Sequence, residues 1–152
     1  MTGVEEFVES VGLYFERLGL SRTAGRVIGA LLVTDDDSAD APRLCESLGV
    51  AKSSMSVALG QLERGGLVER FRPPRGRRDH YRLAEDVSGR AFRAKMDEFT
   101  AFTELAEQGL SVVGDNRRGR ARLELMHDMY AFMAQEFPRL LDRWEEERAR
   151  RG

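Results

Sequence analysis

Apolar residues recur at helical spacing over most of this chain, and the pattern lapses where glycine, proline or clustered polar residues interrupt it. Val4, Phe7, Val11, Tyr14 and Leu18 share one helical face. Thr2 and Glu5 stand in the Thr-x-x-Glu arrangement that satisfies free amides at a helix start. After the Gly19-Leu20-Ser21 break, residues 26–33 read as a second, more buried helix and residues 34–38 as a polar loop. A third helix is predicted over residues 40–48, with Ser38 or Asp40 as N-cap, Pro42 tolerated in the first turn, and Gly49 as terminator. Another starts near Ser53, with Met55, Leu59 and Leu62 on one face, and stops at Gly65-Gly66.

The pattern then changes. Residues 67–72 and 79–83 read as two extended runs, joined by Pro73-Pro74-Arg75-Gly76, whose glycine permits the reversal. Beyond them Phe92, Met96, Phe99, Thr103, Ala106, Leu110 and Val113 resume helical spacing. Gly114-Asp115-Asn116 breaks the chain, and Leu123, Met126, Tyr130, Met133, Phe137, Leu140 and Trp144 follow on a last helix. Pro138 is expected to kink or interrupt that helix near Glu136-Phe137. The stripes predict two long helical arms that pack on each other or on a partner. The fold class is therefore mainly α, with a short helix-turn-helix, a two-stranded β-wing and long terminal helices.

Charge changes the picture. The 152 residues carry a net charge of −2, which by itself disfavours a nucleic-acid partner. Its distribution reverses that reading: residues 64–82 hold seven arginines against Glu69 and Asp79, a net of +5, which leaves −7 for the rest. One phosphate-facing surface on an acidic scaffold accounts for this asymmetry. A helix, a glycine-containing turn, a second helix and a basic hairpin, in that order, can place the second helix in a DNA major groove. Lys52, Ser53, Ser54, Ser56, Val57 and Gln61 lie opposite its apolar face: the serines offer short hydrogen bonds, Gln61 can pair with adenine, and Val57 can touch a thymine methyl. Arg75, Arg77 and Arg78 at the hairpin tip, with Arg72 beside them, can enter a narrowed minor groove.

At this point a resemblance becomes specific. Residues 44–70, LCESLGVAKSSMSVALGQLERGGLVER, followed by residues 77–83, RRDHYRL, resemble the MarR family of bacterial regulators. Residues 7–20, FVESVGLYFERLGL, and Ala24-Gly25-Arg26 resemble its GbsR-like branch. The resemblance spans nearly the whole chain. It implies a winged helix, a homodimer joined through the N- and C-terminal helices, and repression of a double-stranded DNA operator relieved by a small-molecule effector. By family analogy the effector sits among Tyr14, Phe15 and Phe92. Two departures stand out: Ala51 occupies a turn position where a capping serine is common, and Gly76 stands where many relatives carry a wing aspartate. Asp79 is expected to orient the neighbouring arginines instead.

The expected organisation is a dimerisation helix at 1–20, a DNA-binding domain at 21–85 and dimerisation arms at 86–152. Each subunit would read one half-site, with half-sites about 10 base pairs or a multiple of that apart. Other chemistries find no support. Lone Cys45 forms no internal disulfide, and neither His80 nor His127 has metal-ligand spacing around it, so no metal or cofactor is expected. The nucleotide-binding and nucleophile-elbow motifs are missing, which argues against an enzyme. No segment reads as a membrane span or a secretory signal, which points to the cytoplasm. Two rivals keep the fold and change the function: an adaptor that docks proteins on the winged helix without touching DNA, and an enzyme in the helical crevice.

Overall fold

A computed structural model describes all residues, Met1–Gly152, as two compact units, Met1–Val87 and Ser88–Gly152. The first holds α1 (Gly3–Arg17), α2 (Arg22–Val33), β1 (Ala39–Asp40), α3 (Ala41–Leu48), α4 (Lys52–Arg64), β2 (Val68–Phe71) and β3 (His80–Leu83). The second is a helical hairpin of α5 (Val87–Val112) and α6 (Arg117–Arg151), with α5 starting at the boundary between the units.

Caps set the helix boundaries. The Thr2 hydroxyl accepts from the Glu5 amide at 3.1 Å while the Glu5 carboxylate accepts from the Thr2 amide at 2.7 Å, closing the expected capping box. α2 begins four residues before the apolar pattern does, because the Ser21 hydroxyl caps it through the Ala24 amide at 3.0 Å and its first turn carries polar Arg22 and Thr23. Asp40 caps α3 through the Arg43 amide at 2.9 Å, and Gly49, at φ 64°, ends it in the left-handed conformation.

α1 and α2 cross on glycine. A Cβ placed on Gly25 would stand 2.8 Å from Gly12 Cα, 2.8 Å from Phe15 Cβ and 2.9 Å from the Val11 carbonyl oxygen, so the two backbones meet directly. Gly29, one turn further on the same face, lies against Val8 and Val11. Arg26 ties the crossing to the next helix: its Nε lies 2.6 Å from Glu9 on α1 and its Nη2 donates to the Leu48 carbonyl at 2.7 Å. Below it Val27, Met55, Leu62 and Val68 form the fully buried centre of the core.

The sheet has three antiparallel strands in the order β1-β3-β2, one more than the hydrophobic pattern predicts. β1 pairs Ala39 with Tyr81 and Asp40 with His80, and Ser38 Oγ sits 3.1 Å from His80 Nδ1 beside it. Two residues are too few to leave a periodicity. In the turn between β2 and β3 the Gly76 amide donates to the Pro73 carbonyl at 2.8 Å, and the positive φ, 65°, falls on Arg75 instead of Gly76. This is type II geometry with Pro74 in the first central position. Gly76 is needed for closeness, since a Cβ there would meet the Pro73 carbonyl oxygen at 2.9 Å.

In the second unit, aromatic rings zip α5 to α6. Phe102 stacks on Tyr130 at 4.8 Å, and Phe137 meets Phe99 edge-on at 5.3 Å and Phe92 at 6.2 Å. The expected interruption at Pro138 does not occur, and α6 is continuous from Arg117 to Arg151. Proline removes one hydrogen bond from that turn, while the contacts of neighbouring Phe137 hold it to α5. Asn116 caps α6 through the Gly119 amide at 2.9 Å. His127 Nε2 reaches Glu107 on α5 at 3.1 Å and its Nδ1 faces Asp128 at 3.4 Å.

Gly25→Ala is expected to cost about 2 kcal/mol through overpacking, lowering Tm, whereas Gly3→Ala, with open space around it, should be neutral. Equal melting temperatures for the two variants would contradict the crossing. Hydrogen bonding to Glu107, and then to Asp128, raises the His127 pKa above 6.5. The pairing therefore contributes fully below pH 6.5 and fades as pH rises through the folded-state pKa. Glu107→Gln should lower the His127 midpoint in an NMR titration, and an unmoved midpoint would refute the pairing.

Candidate nucleic-acid interface

Burial assigns the two faces of α4. Met55, Ala58, Leu59 and Leu62 are buried in the core, so the residues opposite them face outward. Lys52, Ser53, Ser54, Ser56 and Val57 are all exposed, Val57 by 61%. Gln61 stands apart: it is half-buried, and its Oε1 is shielded from solvent without a hydrogen-bond partner. The first five offer a lysine, three hydroxyls and one methyl-bearing edge to any surface that approaches. Ala51 is the N-cap residue, extended at φ −65° and ψ 148°, and provides no side-chain acceptor, so the amides of the first turn lack the usual intramolecular cap.

The wing arginines divide by partner. Asp79 Oδ1 accepts from Arg72 Nε at 3.2 Å and Nη2 at 3.1 Å, and its other oxygen lies 3.9 Å from Arg70. Arg70 also pairs with Glu63 on α4 at 3.3 Å. Arg78 lies 3.6 Å from Asp40, the cap of α3, and Arg82 pairs with Glu69 at 3.2 Å while lying over the Phe71 ring. Arg75 and Arg77, both exposed, take part in no ion pair. Much of the local positive charge is thus compensated internally, and the uncompensated part sits at the turn, on Arg75 and Arg77, and at the end of α4, on Arg64. Asp40 and Glu63 were not anticipated as partners, because they belong to other elements, at the cap of α3 and the last turn of α4, and only the fold brings them to the wing.

The three aromatic candidates for an effector site fall in different units. Tyr14 is exposed and meets Phe15 edge-on at 6.0 Å, and Phe15 packs half-buried against the core of the first unit. Phe92 is 52% exposed and lines an open cavity of about 630 Å³ in the second unit, together with Gly89, Phe137, Leu140, Leu141 and Trp144. A further open cavity of about 660 Å³ lies in the first unit between Val4, Val8, Arg26, Ala30, Val33 and Leu48, which no sequence pattern indicated. His80 and His127 are engaged by Ser38 and by Glu107 and Asp128 respectively, in separate units.

A helix-turn-helix with one face of its second helix exposed, followed by a small sheet with an arginine-bearing turn, defines the winged helix-turn-helix class. Residues 18–79 match the MarR family, and residues 86–147 match the MmpR5-like MarR family transcriptional regulators. The chain is 33% identical over 131 residues to the HTH-type transcriptional regulator MmpR5 of Mycobacterium tuberculosis (strain ATCC 25618 / H37Rv), covering 86% of this chain and 79% of that protein. It is also similar to a crystal structure of a transcriptional regulator, with 31% identity and a TM-score of 0.84 over 95% of this chain and 99% of the other. The chain belongs to the MarR family of transcriptional regulators.

Ala51→Ser is expected to supply the missing cap and stabilise the fold by about 1 kcal/mol, visible as a rise in Tm. A melting temperature at or below that of the wild type would show that the first turn of α4 is already satisfied.

Proposed function

We propose that the protein is a sequence-specific regulator that binds double-stranded DNA through α4 and the wing. The observation that carries this reading is the pairing of an exposed, polar α4 face with a turn whose Arg75 and Arg77 have no carboxylate partner. Short hydroxyls and a lysine suit base edges and phosphates in the major groove, and free guanidinium groups suit the strong negative potential of a narrow minor groove. Arg72 and Arg78 belong to the same surface, with their charges partly engaged by Asp79 and Asp40. Gln61 contributes from the half-buried edge of α4.

The working unit is a homodimer, with residues 1–20 and 86–152 as its dimerisation parts and residues 21–85 as its DNA-binding domain. Support comes from the large apolar side chains that α6 leaves open: Leu125, Met129 and Phe132 are each more than 60% exposed, and no residue of α6 is buried within the chain. The protein acts in the cytoplasm as a repressor released by a small-molecule effector, for which Tyr14 and Phe15 in the first unit and Phe92 in the second are separate candidate contacts, and it works by binding and not by catalysis. The cavity beside Phe92 is of the size that accepts a small ligand, and no helix is long and apolar enough to cross a membrane. The likeness of residues 7–20 to the GbsR-like branch stands in this proposal beside the MmpR5-like match of residues 86–147.

Mobility-shift titrations across salt concentrations test the DNA-binding core of this reading. Arg77→Ala should weaken binding to all duplexes and reduce the salt slope by roughly one unit. Ser54→Ala should leave that slope unchanged and alter the preferred operator base. Identical losses for both variants on selected and random duplex would contradict the division of labour between wing and helix.

A further inference from the structure

Four charged side chains run in an unbroken line from the last turn of α4 to the base of the wing turn. Glu63 Oε1 lies 3.3 Å from Arg70 Nε on β2, Arg70 Nη1 lies 3.9 Å from Asp79 Oδ2, and Asp79 Oδ1 holds Arg72 through two nitrogens at 3.2 and 3.1 Å. Arg72 directly follows β2 and Asp79 directly precedes β3, so their pairing closes the neck of the turn. The strand ladder stops one residue short of them, at the Phe71–His80 pair. Beyond that pair the chain has one backbone hydrogen bond, from the Gly76 amide to the Pro73 carbonyl, which shapes the turn but does not aim it.

All four side chains are between 37% and 61% exposed, and exposed pairs of this kind add little to global stability. Their geometric effect is larger than their energetic one. The line crosses from helix to strand to turn and ties the turn to α4, while Arg78, 3.6 Å from Asp40, ties the turn separately to the cap of α3.

We propose that Asp79 and Glu63 are positioning residues for DNA reading: they fix the wing turn relative to α4, so that Arg75 and Arg77 meet one groove while α4 occupies the next. The proposal rests on the DNA-binding reading above. It opposes a plain charge argument, in which each acid near the interface only repels phosphate. Glu69 separates the two views, because it pairs with Arg82 at 3.2 Å on the same ribbon and carries the same charge but lies outside the line.

The test compares Asp79→Asn, Glu63→Gln and Glu69→Gln in the full-length protein. Each is titrated with a duplex selected from a random library and with unselected random duplex, and ¹⁵N relaxation of the amides of residues 75–78 is measured without DNA. Asp79→Asn and Glu63→Gln should lower the ratio of selected to random affinity by about fivefold and lower the order parameters of the turn. Glu69→Gln should strengthen binding to both duplexes alike and leave the turn as rigid as in the wild type. Three variants that behave alike overturn the proposal, and so does a lowered ratio with unchanged order parameters, which would mean that the acids act through charge alone. Both outcomes leave the regulatory reading standing if the wild type binds duplex, whereas a wild type that binds none removes that reading and the proposal together.

Discussion

The burial of one face of α4 is the constraint on which the remaining structure depends. Met55, Ala58, Leu59 and Leu62 are each at most 3% exposed, and they meet the core that α1 and α2 build around their glycine crossing. Exposing the three larger side chains would forfeit roughly 5 to 9 kcal/mol, comparable to the whole stability of a domain this size, roughly 5 to 15 kcal/mol. Rotation of α4 about its axis is therefore closed to the folded protein. The outward face, with Lys52, Ser53, Ser54, Ser56 and Val57, is fixed as the surface that a partner meets.

From that fixed helix the wing inherits its position. Leu62 and Val68 share the buried core, and the Leu67 amide bonds to the Leu62 carbonyl at 3.0 Å, so the strand leaves α4 through a tight, hydrogen-bonded link. β1 braces the other edge of β3 and brings Asp40 within reach of Arg78. Helix cap, strand pair and wing arginine thus meet in one place, and the arginines left without a carboxylate partner are Arg75 and Arg77 at the tip of the turn and Arg64 at the end of α4. The overall charge of −2 conceals this arrangement, because four of the seven arginines in residues 64–82 are engaged by acids of the same unit.

Helices were legible in the sequence wherever burial repeats along one face, as for Met55, Leu59 and Leu62, or wherever a side chain caps a terminus, as for Thr2 and Asp40. Both signals are local. The first turn of α2 was missed because its capping serine precedes two polar residues, and β1 because two residues carry no period. At the candidate interface, the identity of the exposed α4 residues followed from periodicity, and their exposure in the fold agrees for five of the six. Gln61 differs, since its position at the edge of the buried stripe places its carbonyl oxygen out of solvent. The ion pairs of Arg70 with Glu63 and of Arg78 with Asp40 join residues 7 and 38 positions apart, and no local pattern encodes such partnerships.

The central claim is that a fixed helix face and an arginine-tipped turn engage duplex DNA together. Measuring the affinity of the purified wild-type protein for double-stranded DNA over a range of salt concentrations tests it most directly. The account predicts measurable binding whose logarithm falls linearly with the logarithm of salt concentration, as counterions leave the phosphates that the wing and α4 cover. Absence of binding at low salt, or an affinity that does not respond to salt, would contradict it.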